Sequence, residues 1–204
     1  MVGRVLVNLE ETKHIAIIGE IGYGKTTYAR DLVEQALKVN PALQVYVFGA
    51  RGNQWEGLST IDAVTLFSME DTIKQRLLEQ TYLDTTKDTL VVVDDIGHTL
   101  QMLPMEEHMR VISGLHTLLT QENVTSIITS FRPIKGYYPK TILELANTRI
   151  ALKLEHEADY VSFFGSKAYK DNPTFPKETG EAYIDTKTTK SPLYIKTVQE
   201  VELV

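Results

Sequence analysis

GEIGYGKTT, residues 19 to 27, matches the pattern of a phosphate-binding loop: a glycine, four residues of any type, and then Gly-Lys-Thr. Glycines let consecutive backbone N–H groups approach a polyphosphate, and the start of the following helix adds a partial positive charge. A plain glycine-rich turn is the alternative interpretation. The residues predicted to surround the phosphates are Gly19, Gly22, Tyr23, Gly24, Lys25, Thr26 and Thr27.

The sequence on either side of this loop favours the phosphate-binding interpretation. IAII at 15–18 reads as a strand, and TYARDLVEQALKV at 27–39 has apolar residues at helical spacing. Lys25 is then expected to neutralise the β- and γ-phosphates of the bound polyphosphate, and Thr26 to offer its hydroxyl to Mg²⁺. Glu20 is an awkward neighbour for a polyanion, so we expect its side chain to point outward.

A second group of candidate site residues lies at the end of the apolar run LVVVDD, residues 90–95. Asp94 is predicted to hold Mg²⁺, through water. Asp95, one residue later at the mouth of the strand, is predicted to act as the general base that polarises the attacking water. The alternative is that the two acids only cap the following turn.

Short β-rich runs alternate along the chain with longer amphipathic segments, which predicts right-handed βαβ units and a three-layer α/β domain. Several of the runs are apolar on successive residues, as in a parallel sheet covered on both faces. The predicted strands are 4–9, 14–19, 43–49, 63–67, 89–95, 124–130 and 149–154, and the predicted helices are 26–39, 69–82, 105–121 and 140–146.

We interpret residues 1–204 as one domain, with a core at 13–165 followed by a C-terminal loop and β-hairpin at 166–204. There are no cysteines, and the five histidines have no ligand spacing typical of zinc sites. No apolar run is long enough to span a membrane, so we expect a soluble intracellular protein without direct membrane insertion. A net charge of −6 argues against a protein that coats nucleic acid with its whole surface.

Over most of residues 13–165 the sequence resembles the FtsK–HerA superfamily of ring-forming DNA-pumping ATPases. The resemblance implies a P-loop NTPase fold of the RecA/ASCE-like type with a mainly parallel central sheet. It also implies ATP and Mg²⁺ as cofactors. The stretches that carry it are GEIGYGKT, LVVVDDIGHTL, MEEHMRVISGLHTLLTQENVTSIITSFRP and NTRIALKLEHEADYVSFFG, in chain order.

Two positions depart from the pattern of that superfamily. Asp95 stands where Glu is common, which shortens the reach of the base by one methylene. The usual Gln before Arg-Pro is replaced, since the chain reads Ser130, Phe131, Arg132, Pro133. The resemblance then leaves Thr129 or Ser130 to sense the γ-phosphate.

Within that superfamily, the small size of this chain makes it similar to viral genome-packaging ATPases, in particular those of turreted, icosahedral, membrane-containing archaeal viruses. This implies ATP-driven translocation of double-stranded DNA into a preformed capsid by a homo-oligomeric ring, with a capsid or portal component as partner. The same resemblance implies that the protein acts in the host cytoplasm during virus assembly. A protein in this role can also be associated with the virion.

Such a ring needs an arginine that reaches the γ-phosphate of the neighbouring subunit. The resemblance favours Arg149, at the start of the closing strand, and then Arg132; a surface salt bridge is the alternative for each. DNA contacts are expected in the loop 132–140, with Lys135 and Lys140, or at the hairpin tip 187–190, with Lys187 and Lys190. The alternative is that both segments are ordinary solvated turns. The sequence does not decide between two roles for Trp55, an exposed surface for stacking and a buried anchor for a neighbouring subunit.

Two other functions fit the motifs. A monomeric P-loop kinase or small NTPase is one, although no Arg-rich lid is evident and paired acids suit water activation better than phosphoryl transfer to an acceptor. A weakly catalytic, nucleotide-binding assembly protein is the other, motivated by Phe131 and Asp95.

Overall fold

The computed structural model describes residues 5–6, 12–68, 83, 86–133, 139–165, 174–186, 192–195 and 201–202. The predicted helix at 69–82 lies outside these residues. So do Lys135 in the loop 132–140 and the predicted hairpin tip at 187–190.

The centre of the molecule is an eight-stranded sheet with the strand order β4-β3-β5-β6-β2-β7-β8-β9. The first six strands in this order are parallel to their neighbours, and β8 and β9 continue the sheet as an antiparallel pair. The strands are β2 His14–Ile18, β3 Gln44–Ala50, β4 Val64–Ser68, β5 Thr89–Val93, β6 Val124–Ser130, β7 Thr148–Ala151, β8 Ala182–Thr186 and β9 Leu193–Ile195.

Helices cover both faces of this sheet. They are α1 Lys25–Val39, α2 Ile96–Gln101, α3 Met105–Leu119, α4 Lys140–Leu145 and α5 Glu157–Phe164, together with a 3₁₀ helix at Gly52–Leu58. The apolar residues of α1 and the 3₁₀ helix form one core with one face of the sheet, and those of α2 to α5 form a second core with the other face. The predicted three-layer α/β architecture with a mainly parallel sheet is therefore confirmed.

The interior strands β2 and β5 are buried at every position, which explains their apolar runs at 15–18 and 90–93. The C-terminal hairpin is present as β8 and β9, which pair from Ala182↔Ile195 to Ile184↔Leu193. A parallel pair, β1 Val5–Leu6 with β10 Val201–Glu202, forms a separate two-stranded sheet. The strand predicted at 4–9 is present in the two residues that the structure describes there, and these residues pair with Val201–Glu202 rather than with the central sheet.

The order of the strands brings the predicted motifs to one edge of the sheet. β6 lies between β2 and β5, with Ser130 beside Ile18 and Ile128 beside Val93. The phosphate loop follows β2 and the two acids follow β5, so both lie at the carboxyl ends of parallel strands. Ligands bind at this edge in open α/β sheets. No helix in the described parts of the chain is both long enough and apolar enough to cross a membrane.

Candidate functional site

The loop between β2 and α1 has the backbone shape that its glycines predict. Gly22 and Gly24 adopt φ values of 86° and 90°, in the left-handed region where a side chain is strained. Gly24 immediately precedes α1, and within the described structure no side chain caps this helix. The N–H groups at the start of α1 therefore remain available to an anion.

Gly19 is required by close packing rather than by its φ angle. A Cβ atom built at this position would lie 2.9 Å from Leu152 Cβ, on the segment that follows β7. The Gly19 N–H donates to the Ser130 carbonyl at 3.3 Å, and the next N–H, of Glu20, donates to the Lys153 carbonyl at 2.8 Å. The start of the loop is thus held between the ends of β6 and β7.

Lys25 lies inside the loop, with only 9% of its surface exposed. Its ammonium group donates to the Glu20 carbonyl at 3.1 Å. Burial lowers the pKa of Lys25, and the negative charges of Asp95, Asp94 and Glu20 oppose that shift. A phosphate placed in the loop would add negative charge beside a desolvated cation, which is a favourable arrangement.

The sequence led us to expect that the Glu20 side chain points outward. In the structure it lies against Arg132 instead. Its Oε1 lies 3.9 Å from Arg132 Nε, and 23% of the side chain is exposed. Arg132 also donates to Glu155 Oε2 at 2.8 Å. Glu20 Oε1 and Arg132 Nε are therefore close enough for an ion pair, although they form no hydrogen bond with each other.

Asp94 directly follows β5 and is 4% exposed. Side chains from three elements donate to its carboxylate: Thr26 at 3.1 and 3.0 Å from Oδ1 and Oδ2, Thr129 at 2.9 Å from Oδ1, and Trp55 at 3.1 Å from Oδ2. Burial raises the pKa of Asp94, while these hydrogen bonds favour its charged form. The structure thus brings the two predicted magnesium ligands, Thr26 and Asp94, into contact.

Asp95 is the one non-glycine residue with positive φ in the described part of the chain, at φ 60° and ψ 64°. Its Oδ1 accepts the His98 N–H at 3.2 Å and so caps α2, and its Oδ2 lies 3.9 Å from the Arg51 guanidinium. Asp95 therefore does cap the following helix, as the alternative interpretation expected. Its side chain is still 22% exposed at the edge that carries the phosphate loop, and its role as general base stays a prediction.

The donor set fits a magnesium ion that shares its ligands with phosphate. A hydroxyl and a carboxylate are the oxygen ligands that Mg²⁺ prefers, and they meet beside the phosphate loop. Among the residues that the structure describes, no group of three or more His, Asp or Glu side chains could hold a metal ion by itself. Thr26 and Asp94 would hold the ion together with water and the nucleotide.

The two hydroxyls considered as γ-phosphate sensors have different environments. Thr129 bridges the acids, since it donates to Asp94 and accepts the Asp95 N–H at 2.8 Å. Ser130 is buried at the end of β6, and its hydroxyl donates to the Arg132 carbonyl at 3.2 Å. Thr129 therefore supports the acids, and a sensor role for Ser130 stays a prediction.

Both arginines predicted to act in trans have partners within their own chain. Arg149 donates to the Phe163 carbonyl at 2.7 Å and to the Leu143 carbonyl at 3.3 Å, near the ends of α5 and α4. Cations are stabilised at such helix ends. Arg132 forms salt bridges with Glu20 and Glu155, and a surface salt bridge is the alternative that the sequence analysis gave for this residue. Neither arrangement tests an action on a neighbouring subunit.

Trp55 is a site residue that the sequence analysis missed. It is fully buried within its own chain, in the 3₁₀ helix that follows β3, and is therefore not an exposed stacking surface. The sequence places Trp55 shortly after the strand β3, but it gives no sign that β3 pairs with the acid-bearing strand β5.

Lys140 is one of the predicted DNA contacts. Its side chain is exposed, and its Nζ lies 3.6 Å from Glu144 Oε1.

Comparisons with known proteins show the fold and not a close relative. No protein-family model matches the chain, and no curated protein matches it. The conjugation coupling protein TcpA of pCW3, in its monomer form with ATPγS, superimposes with a TM-score of 0.70 at 17% identity over 96% of this chain. The cytoplasmic domain of the Type VII secretion ATPase EccC of Thermomonospora curvata gives 0.68 at 16% identity over 92%.

The genome-packaging NTPase B204 of Sulfolobus turreted icosahedral virus 2, in complex with AMPPCP, gives a TM-score of 0.64 at 11% identity. That match covers 91% of this chain and 97% of the B204 chain. This chain spans only 64% of the TcpA chain and 25% of the EccC chain. The protein therefore has the fold of P-loop ATPases, and the predicted resemblance to FtsK-like and viral packaging ATPases is confirmed at the level of the fold.

Proposed function

We propose that this protein binds ATP with Mg²⁺ and hydrolyses it at the site between β2 and β5. The observation that carries the proposal is the contact of Thr26 with Asp94, at 3.0 and 3.1 Å, beside the buried ammonium of Lys25. A hydroxyl, a carboxylate and a cation converge there at the start of α1, a helix end that no described side chain caps and that suits a bound phosphate. Nucleotides are present in the TcpA and B204 structures that share the fold, which supports the assignment.

Each site residue has a distinct role in this reaction. The loop N–H groups and Lys25 bind the phosphates and stabilise negative charge on the γ-phosphoryl group as its bond to the bridging oxygen breaks. Thr26 and Asp94 would hold Mg²⁺, which would supply positive charge to the phosphates. Asp95 orients the attacking water and accepts its proton, so that the water oxygen bonds to phosphorus and ADP leaves.

We further propose that hydrolysis drives double-stranded DNA through a homo-oligomeric ring during viral genome packaging. The match to B204 over nearly the whole of both chains supports this, because B204 is itself a genome-packaging NTPase. In this role the protein acts in the host cytoplasm, meets a capsid or portal component, and can remain with the virion. Arg149, or else Arg132, would complete the site of the neighbouring subunit, with Ser130 as γ-phosphate sensor.

The test is the rate of ATP hydrolysis with and without duplex DNA, measured together with particle mass with and without nucleotide. The proposal expects Mg²⁺-dependent hydrolysis that rises with DNA in an assembled particle. The variant Lys25→Ala should remove it, since it removes the phosphate-binding cation. Turnover that requires a small phosphate acceptor would show a kinase instead, and an assembled particle that binds nucleotide without hydrolysing it would show an assembly protein.

Arg149 needs a test of its own because it also contacts two carbonyl oxygens in its chain. If it acts in trans, Arg149→Ala subunits should hydrolyse ATP poorly alone but regain activity when mixed with Lys25→Ala subunits, whose Arg149 is intact. Absence of this rescue, with normal folding and assembly, would assign Arg149 a structural role. The same mixing experiment with Arg132→Ala then tests the second choice.

A further inference from the structure

The indole of Trp55 reaches the carboxylate that the proposed function assigns to Mg²⁺. Its Nε1–H donates to Asp94 Oδ2 at 3.1 Å, and the residue has 0% exposure. β3 pairs with β5 so that Phe48 lies beside Val93, and the segment that follows β3 therefore passes next to Asp94. An indole N–H can donate but cannot accept, so this contact is directed at the carboxylate oxygen.

The three donors to Asp94 are not equivalent. Thr26 belongs to α1 and is itself a predicted ligand of the ion, whereas Thr129 and Trp55 would not touch the ion. Thr129 holds Oδ1 at 2.9 Å and Trp55 holds Oδ2 at 3.1 Å. A residue of β6 therefore holds Oδ1, and a residue of the 3₁₀ helix holds Oδ2. Together these two hydrogen bonds restrict rotation of the carboxylate.

The 3₁₀ helix is in turn fixed to the phosphate-loop helix. Trp55 and Leu58 pack in the same apolar core as Ala29 and Leu32 of α1. The Arg30 guanidinium donates to the Gln54 carbonyl at 3.1 Å. A buried ring with two side-chain torsions, held in this way, can keep its N–H in one direction at little entropic cost.

We propose that Trp55 is a positioning residue for the magnesium site. Its indole N–H holds Asp94 Oδ2 in the orientation in which the carboxylate, through water, and the Thr26 hydroxyl would act on one ion. The inference rests on the proposed function, since it requires that nucleotide binds with Mg²⁺. Trp55 is the sole tryptophan of the sequence, so its fluorescence reports on this site directly.

The first test is Trp55→Phe, which keeps an aromatic ring in the core but removes the donor. Binding of a fluorescent ATP analogue is measured in EDTA and as a function of Mg²⁺ concentration. Loss of an outer partner of a metal ligand commonly weakens metal binding by 10- to 100-fold, so the Mg²⁺ concentration at half-maximal effect should rise by about 10-fold or more. Binding in EDTA should change less than about two-fold, because the phosphate loop is untouched.

The matched control is Leu58→Val, which loses packing in the same 3₁₀ helix but has no polar atom near Asp94. It should leave the Mg²⁺ dependence at the wild-type value. If Trp55→Phe leaves the Mg²⁺ dependence unchanged, or if it lowers binding equally in EDTA and in Mg²⁺, Trp55 has only a packing role and the inference is overturned. A wild-type protein that binds no nucleotide at any Mg²⁺ concentration would overturn the proposed function itself, and this inference with it.

A second measurement decides the matter if Trp55→Phe does not fold. The tryptophan emission of the wild-type protein is followed while Mg²⁺ is added to the ADP-saturated protein. A saturable change in emission that is lost in Lys25→Ala supports the positioning role. Unchanged emission across a Mg²⁺ range in which nucleotide affinity does change would overturn it.

Discussion

Thr129 should be the most sensitive hydroxyl of the site, because it connects the two aspartates. It is fully buried, donates to Asp94 Oδ1 at 2.9 Å and accepts the Asp95 N–H at 2.8 Å. Thr129→Val keeps the branched shape that suits strand β6 but replaces the hydroxyl with a methyl group. The variant removes one donor from a buried carboxylate and leaves a backbone N–H without its acceptor.

The expected loss of stability follows from these two contacts. A hydrogen bond to a charged group contributes about 1.5–3 kcal/mol, and a buried donor left without an acceptor costs about 1–3 kcal/mol. The two terms share one hydroxyl and are not additive, so we expect a decrease of about 3 kcal/mol in the free energy of unfolding. Thr129→Ser keeps both hydrogen bonds and loses one methyl group, for which we expect about 1 kcal/mol.

Urea unfolding at neutral pH, without nucleotide or Mg²⁺, measures both variants against the wild type. Thr129→Val should also raise the Mg²⁺ concentration needed for nucleotide binding, whereas Thr129→Ser should not. The reasoning is refuted if Val is no more destabilising than Ser, because the hydroxyl would then contribute nothing to the two aspartates.

Three further variants test other parts of the account. Gly19→Ala places a Cβ atom 2.9 Å from Leu152 Cβ and should cost about 1–3 kcal/mol in urea unfolding. At Gly57 no atom of the described residues lies within 4 Å of an added Cβ, so Gly57→Ala should cost far less, and equal losses would contradict the packing argument. Asp95→Asn should fold normally, because Asn tolerates the φ of 60°, yet lose about 100-fold or more in single-turnover hydrolysis; an unchanged rate would remove the general-base assignment. Burial raises the pKa of Tyr160 to about 12. Its ordinary value is about 10, so the stability that the neutral phenol contributes is complete below about pH 10 and is lost as the pH rises toward 12. The difference in unfolding free energy between wild type and Tyr160→Phe should therefore shrink between about pH 10 and pH 12, and a constant difference would show that Tyr160 does not titrate in this way.

The parts of the fold that could be predicted from sequence are those encoded over short distances. The buried strand β5 and the strand β6 follow from uninterrupted β-rich runs, and β6 has the predicted bounds Val124–Ser130. The phosphate loop follows from glycines whose φ values only that residue adopts readily. The contact of Thr26 with Asp94 could also be predicted, because both residues lie at the carboxyl ends of parallel strands or just beyond them.

The parts that could not be predicted depend on which distant segments become neighbours. Trp55 binds Asp94 only because β3 pairs with β5 and a 3₁₀ helix follows β3, and no local pattern encodes that order. The pairing of Val5–Leu6 with Val201–Glu202 joins the two ends of the chain. Glu20 was misjudged for the same reason, since its partner Arg132 arrives from another strand.

The central claim is that one site binds the triphosphate on the N–H groups around Lys25 and its divalent ion on Thr26 and Asp94. A crystal structure with a nonhydrolysable ATP analogue and Mn²⁺, located by its anomalous scattering, tests this most directly. We predict the phosphates on the loop at 19–27, with the Thr26 hydroxyl bound to the ion and Asp94 reaching it through water. A nucleotide bound elsewhere, or an ion whose ligands include neither Thr26 nor a water held by Asp94, would contradict the account.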